Sequence, residues 1–285
     1  MTDPRGGNEA ALKGLIVNSD DFGETIEITR GILEAIDAGI VTSTTILANM
    51  PGTELAIGEA ARRGRDASFG VHLNLCEGRP LTHARSLVAQ DGRFHRKRRV
   101  ALRAVIGRLD PDDLTMELGA QIAKVKDGGV QISHLDSHKH LHQLPGVHEI
   151  VAGLARKFGI ERIRCTLEEG SWVRGLRLST WASRTLRRRF ATQARGCFAK
   201  EGLRHPDRMF DVRELMHTAK RSDRLALLRR PYALTEMACH PGTELADREK
   251  PGSCDRYGEL QFLLSEEFRS LLDEAPIELK TFWDC

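Results

Sequence analysis

The sequence predicts an α/β fold, a (β/α) barrel of eight units or fewer. Strand-like apolar runs alternate with amphipathic helical stretches along the 285 residues, which is the pattern of parallel strands joined by crossover helices. That length suits one barrel better than two open sheets. The polar residues are also placed tellingly. Asp20, Asp21, His138 and His240 each follow an apolar run, so in a barrel they collect at the carboxyl ends of the strands, where catalytic groups sit.

Residues 1–13 are polar and Gly-rich and read as a flexible tail, leaving 14–285 as a single domain. GLIVN (14–18) is a short buried strand. A helix follows in which Ile28, Ile32 and Ile36 recur at i, i+4, i+8, with Gly39 closing it. VTSTTILAN (41–49) is β-branched and strand-like, and Pro51 opens an Ala-rich helix. SFGVHLNL (68–75) alternates, with Phe69, Val71, Leu73 and Leu75 on one face and His72 on the other. A long loop with basic residues at 93–103 precedes a helix capped by Asp110 and opened by Pro111. QISHLDSH (131–138) is a strand, 145–158 a helix and IERIRC (160–165) another strand. Residues 172–200 read as an Arg-rich helix within a basic helical insertion at about 168–230. YALTEMACH (232–240), a helix near 266–272 and a strand at 277–283 complete the chain.

Composition excludes several classes. A net charge of +3 from 43 Lys and Arg against 40 Asp and Glu does not suggest a nucleic-acid partner. No apolar run reaches the roughly 18–20 residues of a membrane span. The first residues lack the basic and apolar regions of a secretory signal, and the six cysteines stand singly; together these predict a cytoplasmic protein with reduced thiols. There is no G-x-x-x-x-G-K-[ST], no G-x-G-x-x-G after the first strand and no G-x-S-x-G. Nucleotide-dependent and serine-hydrolase chemistry lose their support.

What remains is a carboxylate and imidazole set. Asp20 and Asp21 either cap the next helix and face solvent, or divide into a cation ligand and a group facing substrate. His72 is a hydrogen-bonded core residue or a ligand, and His240 a turn residue or a general acid. His134, Asp136, His138, His140 and His142 fall within nine residues; that density suits Zn²⁺ or a related ion, with Asp136 able to orient an imidazole. His138 and His142 would share a face if a helix began there. Cys76 and Cys239 read as small buried residues, since no orienting base is paired with either. The combination points to metal-assisted hydrolysis.

Several motifs together resemble the YdjC-like carbohydrate deacetylases, a family including chitooligosaccharide deacetylases and the deacetylases of glucosaminyl hopanoid synthesis. They are VNSDDFG (17–23), GIVTSTT (39–45), the Asn49-Met50-Pro51 step, GVHLNLCEGRPL (70–81), HLDSHKHLH (134–142) and MACHPG (237–242). The resemblance runs from about residue 14 to 160 and resumes at 233–242; residues 165–230 carry little of it. It implies a distorted TIM-like barrel related to the polysaccharide deacetylases, and hydrolysis of an N-acetyl group from an N-acetylglucosamine-containing oligosaccharide or glycolipid. It further implies one divalent metal ion, Mg²⁺ or Zn²⁺, on Asp21, His72 and His138, with Asp20 as general base and His240 as general acid. Asp136, His142, Asn74 and Arg79 are expected behind the ligands or against substrate, and His142 is the rival third ligand. Ser19 stands where the family usually has Ala, and the Arg-rich 172–200 stretch has no counterpart in it.

Three other readings stay open: a hydrolase of a sugar ester or phosphoester, a carbohydrate-binding protein without catalysis, and a peripheral membrane or glycolipid contact through 172–195. A homodimer is also compatible with the sequence.

Overall fold

The computed structural model describes residues 13–166, 180–249 and 255–285. Its seven strands are all parallel: β1 (Lys13–Phe22), β2 (Ser43–Ile46), β3 (Ser68–Leu73), β4 (Ile132–Ser137), β5 (Arg208–Asp211), β6 (Leu234–Cys239) and β7 (Ile277–Lys280). They run in the order β4-β3-β2-β1-β6-β5. Ten residues long and buried almost throughout, β1 shares one edge between two partners. Lys13–Ile16 pair with β7, and Asn18–Phe22 with β2. A strand covered on both faces needs a continuous apolar run, and GLIV supplies it.

The two ends of this sheet are sewn together by residues 161–164. Leu135 of β4 donates to the Arg162 carbonyl and accepts from Arg164, while Ile163 donates to the Arg204 carbonyl just before β5. Isolated bridges at Leu135–Ile163 and Arg162–Arg204 thus close a distorted barrel. The strand expected at 160–165 is reduced to these bridges.

The helices are α1 (Ile26–Asp37), α2 (Thr53–Arg63), α3 (Lys97–Val105), α4 (Pro111–Asp127), α5 (Val147–Phe158), α6 (Thr180–Lys200), α7 (Val212–Met216), α8 (Arg221–Leu228), α9 (Glu244–Glu249), α10 (Arg256–Leu264) and α11 (Glu266–Glu274). Thr25 caps α1 by accepting from the Ile28 amide, and Ile28, Ile32 and Ile36 are its buried stripe. Asp110 and Pro111 begin α4 as their sequence suggests. Within 168–230, read as a helical insertion, β5 is a sheet strand, and the described part of α6 starts at Thr180; residues 172–179 lie outside the described residues. α6 buries Ala191, Ala194 and Phe198. Among the described residues no helix is long and apolar enough to cross a membrane.

One backbone contact positions the site directly. A Cβ on Gly31 of α1 would fall 2.5 Å from the Gly242 backbone. Only glycine lets α1 approach the turn that follows β6 and carries His240.

Candidate active site

At the carboxyl end of β1 the pairing register slips between Ser19 and Phe22, and Asp21 takes a φ of 67°. Asp tolerates this left-handed conformation better than most residues. The bulge turns two adjacent carboxylates to different partners. Asp20 receives both terminal nitrogens of Arg164, at 2.7 and 2.8 Å, and the Asn18 amide at 3.0 Å. Asp21 Oδ1 lies 2.8 Å from His138 Nδ1 and 3.5 Å from His72 Nε2. Its Oδ2 accepts from Arg256 at 2.7 Å, and the same Arg256 nitrogen donates to Glu24 at 2.7 Å.

Asp21, His72 and His138 are each at most 2% exposed, and their candidate ligand atoms all lie within 4.8 Å of one another. One carboxylate and two imidazoles make a donor set that suits a divalent ion. Burial alone would lift the Asp21 carboxyl, but His138 and Arg256 hold it well below the usual range. Burial would likewise discharge His72; Asp136, bonded to its Nδ1 at 2.7 Å, instead pulls the imidazolium up to about 10. A cation between these three side chains would supply the positive charge that this proton now supplies. Asp136 therefore stands behind His72, leaving Nε2 to face Asp21. Asp20, His72 and Asp136 form a second cluster of the right spacing. Arg164 contacts both of its carboxylates, so an ion there would sit beside a guanidinium, and the Asp21 cluster is favoured.

After His138 the chain does not become α-helical. Lys139 and His140 both have φ of 55°, which breaks the spacing that would have put His138 and His142 on one face. His142 is thus no ligand here. Its Nε2–H donates to the Arg164 carbonyl at 3.0 Å, its Nδ1 accepts from the Ser137 hydroxyl at 2.6 Å, and its ring stacks on Phe198. Burial pushes its pKa down to about 4, so it is a neutral strut beneath Arg164. His134 is spent similarly, stacked 3.5 Å from Phe282. The thiols are raised by burial, Cys76 to about 12 and Cys239 well above its usual value, which leaves neither as a nucleophile.

His240 follows β6 on the far side of Asp20, with Nε2 3.9 Å from Asp20 Oδ2 and Nδ1 3.7 Å from Glu259. Its side chain is 21% exposed and so reaches the mouth. Glu259 also accepts from the His240 amide, fixing the turn. Burial works to lower the His240 pKa, but Glu259 and the two aspartates outweigh it and raise it.

The sequence profile of the family described as YdjC-like protein matches residues 14–274. The chain belongs to this family. A carbohydrate deacetylase from Geobacillus stearothermophilus is 40% identical over 146 residues, which are 50% of this chain and 56% of the relative. One from Clostridium beijerinckii is 37% identical over 147 residues, covering 51% and 58%. The matched region therefore spans little more than half the length of these curated relatives. A crystal structure from Enterococcus faecalis V583, provisionally named a cellobiose-phosphate cleavage protein, superposes with a TM-score of 0.74 at 24% identity, over 96% of this chain and 99% of that one. At that identity the likeness supports the fold alone.

In this YdjC-like chain the structure gathers Asp20, Asp21, His72, Asp136, His138 and His240 at one end of the barrel. Two further expected residues lie in the loop after β3. Asn74 is buried and organises the loop after β3, accepting from the Cys76 and Glu77 amides and donating to the Glu77 carbonyl. Arg79 is exposed and lines a cavity of about 420 Å³ together with Arg85 and Gly92. Sequence reasoning missed Arg164, Arg256, Glu236 and Glu259, all at most 2% exposed. Of these Arg164 and Glu236 had a signal, each a charge inside a strand-like run, IERIRC and YALTEMACH. Glu77, in the GVHLNLCEGRPL motif, stands 3.0 Å from His138 Nε2.

Proposed function

We propose that this chain is a metal-dependent hydrolase that removes the N-acetyl group from an N-acetylglucosamine-containing oligosaccharide or glycolipid. The observation that carries this reading is the buried Asp21–His72–His138 set beside the Asp20–His240 pair, whose polar atoms are 3.9 Å apart. The names of the curated relatives agree with it.

When bound, a divalent ion would polarise the acetamide carbonyl and make a water more acidic. Two imidazoles and one carboxylate favour Zn²⁺ over Mg²⁺, which prefers an all-oxygen shell. Asp20 takes the proton from the attacking water. Its Oδ1 accepts from both Arg164 and Asn18, but Oδ2 accepts from Arg164 alone and keeps a lone pair for that proton. His240, protonated on Nε2 and steadied by Glu259, then gives a proton to the departing amine nitrogen. Products are acetate and a free amino sugar. Asp136 keeps His72 in the tautomer that presents Nε2, and Arg256 holds the far oxygen of Asp21 so that the near one faces the imidazoles.

Acetate release from N-acetylated chitooligosaccharides should stop on complete chelation and return on adding back Zn²⁺. Unchanged release after metal removal would overturn the metal mechanism. Stoichiometric sugar binding without acetate would make this a binding protein, and phosphate release from sugar phosphates would make it a phosphoesterase.

The acid role has its own test. His240 must be protonated to act, so turnover should fall as pH rises through its elevated pKa. In Glu259→Gln the His240 amide keeps an acceptor while the carboxylate charge is lost. The alkaline limb of kcat should move down by roughly one pH unit. A limb that stays in place would remove His240 from the acid role.

A further inference from the structure

Between Asp91 and Asp110 the sequence has seven Lys and Arg residues and no Asp or Glu. Most of α3 lies in this stretch. Val100 and Ala104, 1% and 6% exposed, face the core. On the opposite side Leu102, Val105 and Ile106 are 59%, 48% and 51% exposed. Their spacing is i, i+3, i+4, so they form one patch, and the exposed Arg98 and Arg99 lie one turn earlier on the same face. Single exposed aliphatics are ordinary on a protein surface. Three adjacent ones bordered by cations, on a helix that already buries its other face, form a surface that water solvates poorly and that anions attract.

The position of α3 gives this patch a direction. The helix belongs to the connection from β3 to α4, which leaves from the carboxyl end of the barrel. Glu77, in the same connection, stands 3.0 Å from His138, and the Lys97 charge is close enough to act on His140 and Cys76. The connection is also pinned. Glu117 of α4, fully buried, accepts from the Leu81 and Thr82 amides, and Asp113 accepts from the Ser86 amide. The patch is thus held on the side of the barrel where the site opens.

We propose that α3 docks this protein on an anionic lipid bilayer, Leu102, Val105 and Ile106 entering the headgroup boundary while Arg98 and Arg99 engage lipid phosphates. The chemistry favours a bilayer over a nucleic acid, which would ask for stacking aromatics where this face has branched aliphatics. Docked this way, the barrel mouth faces the membrane surface, where a lipid-linked amino sugar would be presented. That orientation rests on the proposed deacetylase reading; the docking does not. The contact is distinct from the one expected at 172–195.

Co-sedimentation with vesicles of phosphatidylglycerol and phosphatidylcholine, against phosphatidylcholine alone, tests the inference at low and high salt. The full chain should pellet with the anionic vesicles at low salt and be released by high salt. A Leu102→Ser, Val105→Ser, Ile106→Ser variant and an Arg98→Glu, Arg99→Glu variant should each bind about tenfold more weakly or worse. Both should release acetate from a water-soluble N-acetylated sugar at the parent rate, so that loss of docking and loss of the deacetylase reading are told apart. The proposal is overturned if the parent protein stays in the supernatant with anionic vesicles, or if both variants bind them as the parent does. It is equally overturned if the triple-serine change converts a dimer to a monomer on gel filtration, since a second copy would then be what covers the patch.

Discussion

An Asp20→Asn variant should lose acetate release by about 10²- to 10⁴-fold, the range associated with removing a general base. Its metal content, measured by elemental analysis after dialysis, should match the parent. The separation is expected because Asp20 and Asp21 answer to different partners. Arg164 and Asn18 surround the first, and the imidazoles and Arg256 surround the second. Asparagine keeps one oxygen for Arg164 Nη2 and Asn18 but turns an amide N–H₂ toward Nη1. The side chain therefore stays near its place while losing both its basicity and one hydrogen bond. If the metal disappears along with turnover, the ion sits on the Asp20 side and the two aspartates exchange roles.

Arg164→Met should have the largest effect on folding. This guanidinium is 0% exposed and touches three buried carboxylates, Asp20, Asp136 and Glu236. Removing one partner of a buried ion pair costs about 3–5 kcal/mol, because the remaining charge is left without compensation. Here Asp20 and Glu236 are left without a cation, while Asp136 keeps His72 at 2.7 Å. Against a total stability of about 5–15 kcal/mol, the melting temperature should fall by roughly 10 °C or more. A second change should restore part of the loss. Burial already pushes the Glu236 carboxyl up to about 7 in spite of Arg164, and among the described residues its Oε2 has no hydrogen-bond partner. Glu236→Gln in the Arg164→Met background removes the carboxylate that is least well accommodated. Melting curves of the single and double variants check both statements; a single variant as stable as the parent would show that the network carries little of the fold.

Most parts of the site that the sequence revealed sit at the end of an apolar run, and His72 sits inside one, on its polar face. β1 delivers Asp20 and Asp21, β4 delivers His138, β6 delivers His240, and the polar face of β3 carries His72. Periodicity and residue type suffice for these, because strand ends in a parallel barrel are brought together by the architecture itself. The groups that orient them are a different matter. Arg256 is 235 residues from Asp21 and Arg164 is 144 from Asp20. Charged residues of this kind are common on surfaces, and only the fold distinguishes a buried one. β5 escaped notice because its four residues, RMFD, interrupt a stretch dominated by arginine. Arg208 is nonetheless 3% exposed, with its guanidinium carbon 4.9 Å from the Phe210 ring centroid. The rival placing of His142 as a third ligand depended on helical spacing, which two successive left-handed residues break.

The seam that closes the barrel has a consequence for how this protein would fail. Elsewhere neighbouring strands share several pairings, but residues 161–164 hold β4 and the segment before β5 by single bridges. Places with so few cross-strand bonds are where sub-global opening begins. Arg164 lies in that seam, so its parting would unclamp Asp20 while β1, β2 and β3 remained paired. Thermal unfolding would then begin at the seam, ahead of the separation of β1, β2 and β3.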